Sequence, residues 1–421
     1  MYRYTQSAET ESGAFVRDAP TVLSYAALGC FTFWLYAFGP AVTLLRDEWG
    51  FSYSALGLYE VFWSGGAALA GAAFGWLGRR LARGTLLWAS TLATTIGAAF
   101  FALGGGVPAT LIAAATFGAA GTMLLTVIQA ILSDRHGSRR DRALTEANVG
   151  AGASAVFAPM VLGALAGTAI GWRVTFALPA VVLLLLYLGY RGRPLPARPE
   201  HDAEERGGRL PLACRLFAVL TAVSSAIEFC LVYFGPQLLI TLGWSAAAAS
   251  SAMSSNLTGI LVGRLFGAGL TRRPGRTVTL LYASLSLTLA SIVLFWMTGQ
   301  PVLAVVALFL SGVGIANLYP LALALTLEAA DGQEDRANAR SQVVLGVLAA
   351  AFPFILGSLA DHYGLTAGFA LEPVLICLCV VMLWGGLRAR RRAAAPGEQR
   401  PPAPGRLPGV ARCATGNAHP E

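Results

Sequence analysis

The chain repeats itself at a fixed interval. Asp141-Arg142-Ala143 returns as Asp335-Arg336-Ala337, and Pro159-x-x-Leu162-Gly163 returns as Pro353-x-x-Leu356-Gly357, both 194 positions on (335 − 141 and 353 − 159). Thr85-Leu86-Leu87-Trp88-Ala89-Ser90 comes back as Thr279-Leu280-Leu281-Tyr282-Ala283-Ser284 at the same 194 (279 − 85), and Phe38-Gly39-Pro40 as Phe234-Gly235-Pro236 at 196 (234 − 38). Landmarks recurring in one order define a duplicated unit, so the fold must be built from two like halves. Only 12% of residues are charged and 56% are hydrophobic, whereas about 25% are charged in soluble domains. A duplicated unit of that composition belongs in a bilayer, as in two-fold membrane transporters.

Twelve apolar stretches are long enough to cross a hydrocarbon layer of roughly 30 Å as helices. They cover 21–45, 54–78, 85–104, 108–132, 144–168, 172–190, 216–242, 247–270, 277–298, 302–327, 341–360 and 366–387. The expected organisation is an N-terminal tail (1–20), a first six-helix bundle (21–190), a linker (191–215), a second bundle (216–388) and a disordered tail (389–421). Pro194, Pro196, Pro199 and the mixed run His201 to Arg206 make the linker polar and solvated. The repeat offset places the same boundary there.

Orientation follows from the arginines. With the N-terminus inside, the clusters around Arg79, Arg135, the linker, Arg272, Arg336 and Arg388 fall on the cytoplasmic side, and only Arg46 and Arg173 fall outside. Both termini are then cytoplasmic. No charged leader with a short apolar core precedes the first span, so no secretory signal is expected. The +8 net charge does not imply nucleic acid, because the arginines sit in short clusters between apolar runs without interleaved aromatics.

Twelve helices in duplicated halves, Gly/Arg loops after helices 2 and 8, Gly171-Trp172-Arg173-x-x-Phe176 opening helix 6, and Gly263-Arg264 near the end of helix 8 resemble the major facilitator superfamily. The likeness spans roughly residues 20 to 390 and implies an all-α integral membrane fold of two pseudo-symmetric bundles, rocking around a midplane site lined by helices 1, 4, 7 and 10. The loop after helix 2 departs from the family pattern, since Arg79 stands where an acid is expected and Arg272 takes the like position in the second half. Helix 4 also lacks the early Arg, and helix 5 the full G-P-x-x-G-G, of the proton-coupled drug exporters in that family.

An ionisable group at the bilayer centre costs about 2.5–3.5 kcal/mol on insertion scales, which makes it a functional candidate. Glu228 is the one such acid near the midplane of helix 7, about 18 Å from Leu216 at 1.5 Å per residue. Thr221, Ser224 and Ser225 share its face, and the Phe-Gly-Pro register aligns it with Thr32. Its expected roles are proton switch or counter-charge for a cationic group; a buried structural acid is the plain alternative. Glu60 and Glu372 sit within about two turns of the outer ends, where water reaches, and read as gate residues. Arg264 lies six residues from the end of helix 8 and can snorkel outward, a structural or gating position.

Tyr25, Thr32, Tyr36 and Thr43 return to one face of helix 1; Thr122, Thr126, Gln129 and Ser133 do so in helix 4, and Asn317 and Tyr319 mark helix 10. Such residues also bond their own backbone in membranes, so the aligned set carries more weight than any member. The four histidines are scattered through loops and tails and the six cysteines have no metal spacing, which disfavours a membrane enzyme and any metal or cofactor. A transporter-like sensor would be expected to carry an added regulatory domain. The reading is therefore a monomeric secondary transporter of the cell membrane for a small organic molecule, exporting in exchange for protons, with proton-coupled uptake as the alternative.

Overall fold

Inside a bilayer each backbone N–H and C=O needs an internal partner, and an apolar chain meets that demand by winding into helices. The computed structural model describes residues 15–193, 195, 209–270 and 276–394, and among these every regular element is helical. The first half holds α1 (Ala19–Trp49), α2 (Tyr53–Arg80), α3 (Arg83–Leu103), α4 (Val107–His136), α5 (Arg140–Ala166) and α6 (Ala177–Tyr190). The second holds α7 (Leu212–Thr241), α8 (Ala246–Leu270), α9 (Thr277–Met297), α10 (Pro301–Ile315), α11 (Leu318–Glu328), α12 (Glu334–Tyr363), α13 (Leu365–Gly368) and α14 (Leu371–Ala394).

Eleven stretches are long and apolar enough to cross a membrane, with α10 and α11 forming one and α13 and α14 another. The remaining crossing is α8, which Ser250, Ser251, Ser254, Ser255 and Asn256 make less apolar, but whose 25 residues span about 37 Å. That polar face is spent on packing: Asn256 donates to the Ser311 hydroxyl at 2.9 Å and to the Leu308 carbonyl at 3.3 Å on α10. Twelve crossings put both ends of the described chain on one face, the terminal face. The other is the distal face.

Several boundaries differ from the hydropathy reading. Helices α5 and α12 begin at Arg140 and Glu334, ahead of the expected 144 and 341, because Arg, Ala and Glu propagate a helix beyond the apolar stretch. The sixth crossing opens as a 3-10 turn, Trp172–Phe176, before α6. The tenth is interrupted at Ala316 and Asn317. Pro320 lacks the N–H that would bond the Ala316 carbonyl four residues back, and Asn317 turns its amide to the Gly263 carbonyl of α8 at 2.9 Å. Most of the expected linker, residues 1–14 and 395–421 of the expected tails, and Arg272 lie outside the described residues, while α14 runs on through 389–394, where the disordered tail is expected.

The duplication becomes two symmetric seams between the halves. Gly163 of α5 lies so close to Ala247 and Ser251 of α8 that a Cβ would strike both, and Gly357 of α12 meets Tyr53 and Ser54 of α2 in the same way. The positions obey the repeat interval of 194: 357 − 163, 247 − 53, and 251 − 57, where Gly57 faces Pro353 and Phe354 at 2.7 Å. Asp361 tightens the second seam by accepting from the Tyr53 and Ser54 backbone N–H groups at 2.8 Å, capping the start of α2 from the other half. Close approach of this kind is what small residues contribute in membrane helix packing. Both seams lie toward the distal face, where α2 and α8 begin and α5 and α12 end.

The terminal face is tied within each half. Arg17 grips Glu146 with two hydrogen bonds of 2.8 and 2.9 Å, Arg142 joins at 3.1 Å, and Arg83 pairs with Asp134 at 3.1 Å. Asp18 caps α1, accepting from the Thr21 N–H at 3.2 Å and hydroxyl at 2.6 Å, and pairs with Arg135. Burial pushes the Asp18 carboxyl up, but the bonds from Thr21 and Arg135 outweigh it and hold it below its ordinary value. Its contribution to the cap is therefore full at neutral pH and is lost as pH falls through that lowered pKa. In the second half Arg390 pairs with Glu328 at 2.6 Å.

Packing inside a half and across the seams should respond differently to one added methyl. Gly118→Ala and Gly312→Ala force a Cβ onto the Trp63 and Asn256 carbonyls inside their own halves and should each cost about 1–3 kcal/mol, read as a lower thermal midpoint in detergent. Gly357→Ala acts between halves, so it should loosen the distal seam with the bundles intact. A cysteine placed at Ser54 in a chain lacking native cysteines should then gain reactivity toward an impermeant thiol reagent. Unchanged reactivity in a folded variant would show that Gly357 does not hold the seam.

Candidate functional site

Helices α1 and α7 cross near the centre of the molecule because both are thin there. A Cβ on Gly39 of α1 would stand 2.7 Å from the Val232 side chain of α7. That approach lets the Tyr36 hydroxyl donate to the Glu228 carboxylate at 3.0 Å, a bond between residues 192 apart. From α8 the Arg264 guanidinium stands within electrostatic reach of the same phenol. Tyr36 and Glu228 are half-buried and Arg264 is exposed. A hydrogen-bonded acid and phenol from the two halves, with a guanidinium nearby, thus gather toward the middle of α1 and α7, offering a negative, a positive and an aromatic contact together.

Toward the distal face, a small cavity of about 40 Å³ begins at Tyr36 and is closed by Trp63, Phe229, Tyr233 and Glu60. Glu60 accepts from the Ser64 hydroxyl at 2.6 Å, and Tyr233 of the other half lines the same cavity. The space is of the order one water needs, given polar partners such as the Tyr36 and Tyr233 hydroxyls and Glu60. Beyond it Arg46 donates to Gln237 at 3.0 Å and stacks 3.7 Å over the Tyr53 ring, joining α1, α2 and α7.

Several expected positions stand elsewhere. Glu60 and Glu372, expected within reach of water, are 2% and 0% exposed. Trp63, Phe229 and Tyr233 enclose Glu60, and Glu372 lies in the packed interior with neither oxygen hydrogen-bonded among the described residues. Arg264 is exposed on α8, with Tyr36 within its electrostatic reach. Thr32, the aligned partner of Glu228, bonds the Leu28, Gly29 and Ala151 carbonyls, the last tying α1 to α5. Tyr25 belongs to the terminal-face network, donating to Glu146 at 3.3 Å.

The helix 4 stripe is half occupied by its own backbone, since the Thr126 hydroxyl bonds the Thr122 carbonyl at 2.7 Å, while Gln129 is exposed. Ser225 is buried and bonds the Thr221 carbonyl. Asn317 fastens α8 as described, and Tyr319 accepts from Gln342 of α12 at 3.0 Å. Arg79 is exposed at the end of α2. Two residues escaped the sequence reading: Gln237, one helical turn before the end of α7, and Asp361, whose partners lie 308 and 307 positions away. No local spacing signals a cap supplied across that distance.

Comparison with known proteins places the whole architecture. The family model described as Major Facilitator Superfamily matches residues 23–339 and 217–412. A search of curated proteins by sequence finds no match. Among solved structures, a bacterial homolog to the human lysosomal transporter Spinster, inward-facing and unoccupied, superposes with a TM-score of 0.71 at 13% identity, covering 89% of this chain and 96% of that one. The peptide transporter POT gives 0.70 at 18% identity, covering 88% and 95%. The nucleoside transporter NupG gives 0.68 at 15%, covering 89% and 98%. At such identities the likeness concerns the fold, and it agrees with the family match along the chain. With its paired bundles, its seams at the repeat interval and a family match reaching across both halves, this chain belongs to the major facilitator superfamily and is a membrane transporter.

Proposed function

We propose that the chain is a secondary transporter that exchanges protons for a small organic molecule, exporting it by alternating access around Tyr36, Glu228 and Arg264. The observation that supports this most is the Tyr36–Glu228 bond of 3.0 Å, which links the two halves at mid-depth. In this fold class, cargo and coupling ion bind near the midplane at the interface between repeats. A carboxylate there can take up and release a proton as its exposure alternates, and Arg264, sharing the phenol, can claim Tyr36 when Glu228 is protonated. The set would suit a polar or zwitterionic molecule with a ring to lay against Tyr36. The proposed setting is the cell membrane, with a monomer as the working unit and both termini in the cytoplasm.

Conformation fits the same reading. The closest contacts between the halves gather toward the distal face, and Glu60 is sealed behind them. Gln129, Asn148, Arg264 and Gln342 are exposed on the terminal side of the centre. Rocking that opened the Gly163 and Gly357 seams would uncover Glu60 and reverse the access. Glu60 and Glu372 then serve as buried groups of the closed gate, and Arg79 remains a terminal-face position whose part in gating is separable from its part in insertion.

In proteoliposomes with an identified cargo, Glu228→Gln should abolish pH-driven accumulation while leaving counterflow of labelled cargo. Tyr36→Phe should weaken cargo affinity by about tenfold, the scale of one hydrogen bond to a charged group. Accumulation at the wild-type level with an unaltered pH profile in Glu228→Gln would remove this acid from coupling. The sign of the proton flux separates the directions, since exchange moves protons against the cargo and symport moves them with it. Topology is tested by tags: at Glu204 and after Glu421 they should report the cytoplasm, and near Gly299 the outside. A linker tag found outside would overturn the orientation.

A further inference from the structure

Away from the central site, the second half carries a groove at its terminal-face rim between the first turns of α9 and the last turns of α14. Its volume is about 350 Å³, and its walls are Val278 and Tyr282 from α9 and Trp384, Leu387, Arg388 and Arg391 from α14. Trp384, Arg388 and Arg391 are spaced four and three apart, so they share one face of α14. The Arg388 guanidinium lies 5.1 Å over the Trp384 ring. Stacked in this way, it is held flat while its N–H edge stays available for a planar, doubly hydrogen-bonded anion.

Among the described residues neither Arg388 nor Arg391 has an ion-pair partner, and no acid lines the groove, whereas Arg390 on another face is satisfied by Glu328. The principal neighbours of α9 and α14 are each other and α7, α10 and α11, so the groove opens outward from the bundle and not toward the other half. Trp384, Arg388 and Arg391 are exposed, and Val374, Val380 and Val381 continue an exposed apolar surface along α14 toward the membrane interior. In the first half Trp88, the repeat mate of Tyr282 (282 − 88 = 194), packs against Tyr187 with ring centroids 5.1 Å apart.

We propose that this groove binds the phosphate headgroup of an anionic phospholipid from the leaflet at the terminal face. Arg388 and Arg391 take the phosphate, Tyr282 and Trp384 stand at the headgroup level, and the acyl chains run down the apolar side of α14. Basic pockets between membrane helices are the expected form of such recognition. Aromatic side chains at that depth provide the amphipathic rim. A lipid satisfies both the paired charge and the apolar continuation, which a soluble phosphate does not.

The test uses the full-length chain in nanodiscs of phosphatidylcholine with increasing phosphatidylglycerol, reading lipid retained after mild delipidation by native mass spectrometry, and thermal unfolding. Wild type should retain phosphatidylglycerol in preference to phosphatidylcholine and melt higher as its fraction rises. Arg388→Gln with Arg391→Gln should lower that retention roughly thirtyfold, two charges near the surface contributing on the order of 1 kcal/mol each, with an unchanged midpoint in pure phosphatidylcholine. Arg80→Gln serves as control, since Arg80 stacks 4.4 Å over Trp76 on the same face, and it should retain lipid as wild type does. Absence of a phosphatidylglycerol preference in wild type overturns the proposal without need of any variant. Equal loss in Arg80→Gln would reduce the effect to general surface charge, and displacement of the lipid by excess inorganic phosphate would reassign the groove to a soluble anion.

Discussion

Close approach of backbones at the two seams is the constraint on which the remaining geometry rests. Gly163 against α8 and Gly357 against α2 let helices from opposite halves meet with no side chain between them. Lipid tails are as apolar as leucine, so nothing like hydrophobic burial presses the halves together, and dispersion contacts with a few hydrogen bonds must do so. The Asp361 cap on α2 and the Arg46–Gln237 bond supply the polar part. Where those contacts sit, toward the distal face, decides which side of the central site is sealed.

From that closure follows the contrast among the acids. Glu228, Glu60 and Glu372 are all carboxylates on membrane helices, but each meets a different environment. Glu228 is half-buried beside Tyr36 and a guanidinium; Glu60 is enclosed with Ser64 and Tyr233; Glu372 is enclosed with no hydrogen-bond donor among the described residues. Only the first combines partial exposure with a hydrogen bond to the other half, which is what an alternating site requires.

The two halves repeat their packing but not their chemistry. Gly118 and Gly312 occupy the same place at the repeat interval, as do the seam residues, because helix approach is what the duplicated scaffold must preserve. Chemistry-bearing positions diverge: Thr32 stands where Glu228 stands, Trp88 where Tyr282 stands, and Arg264 has no basic mate at position 70, which is Ala70. An asymmetric site within a symmetric frame lets one half contribute the acid and the base while the other contributes the phenol.

The chain's membrane character, its duplication, the positions of its crossings to within a turn or two, and Glu228 as the acid at mid-depth were legible in the sequence. Those features depend on local apolarity and on a fixed interval, which a linear reading can measure. Partnerships depended on the tertiary structure. Tyr36, not the register-matched Thr32, reaches Glu228, because the Gly39 contact sets the α1–α7 crossing and Thr32 turns to backbone carbonyls. Arg264 comes within electrostatic reach of that phenol, and Glu60 is enclosed, because of how the helices of the two halves pack. The direction of a side chain around a helix follows from its period, but which helix it then meets is set by rigid-body packing across several hundred residues, and no local pattern encodes that.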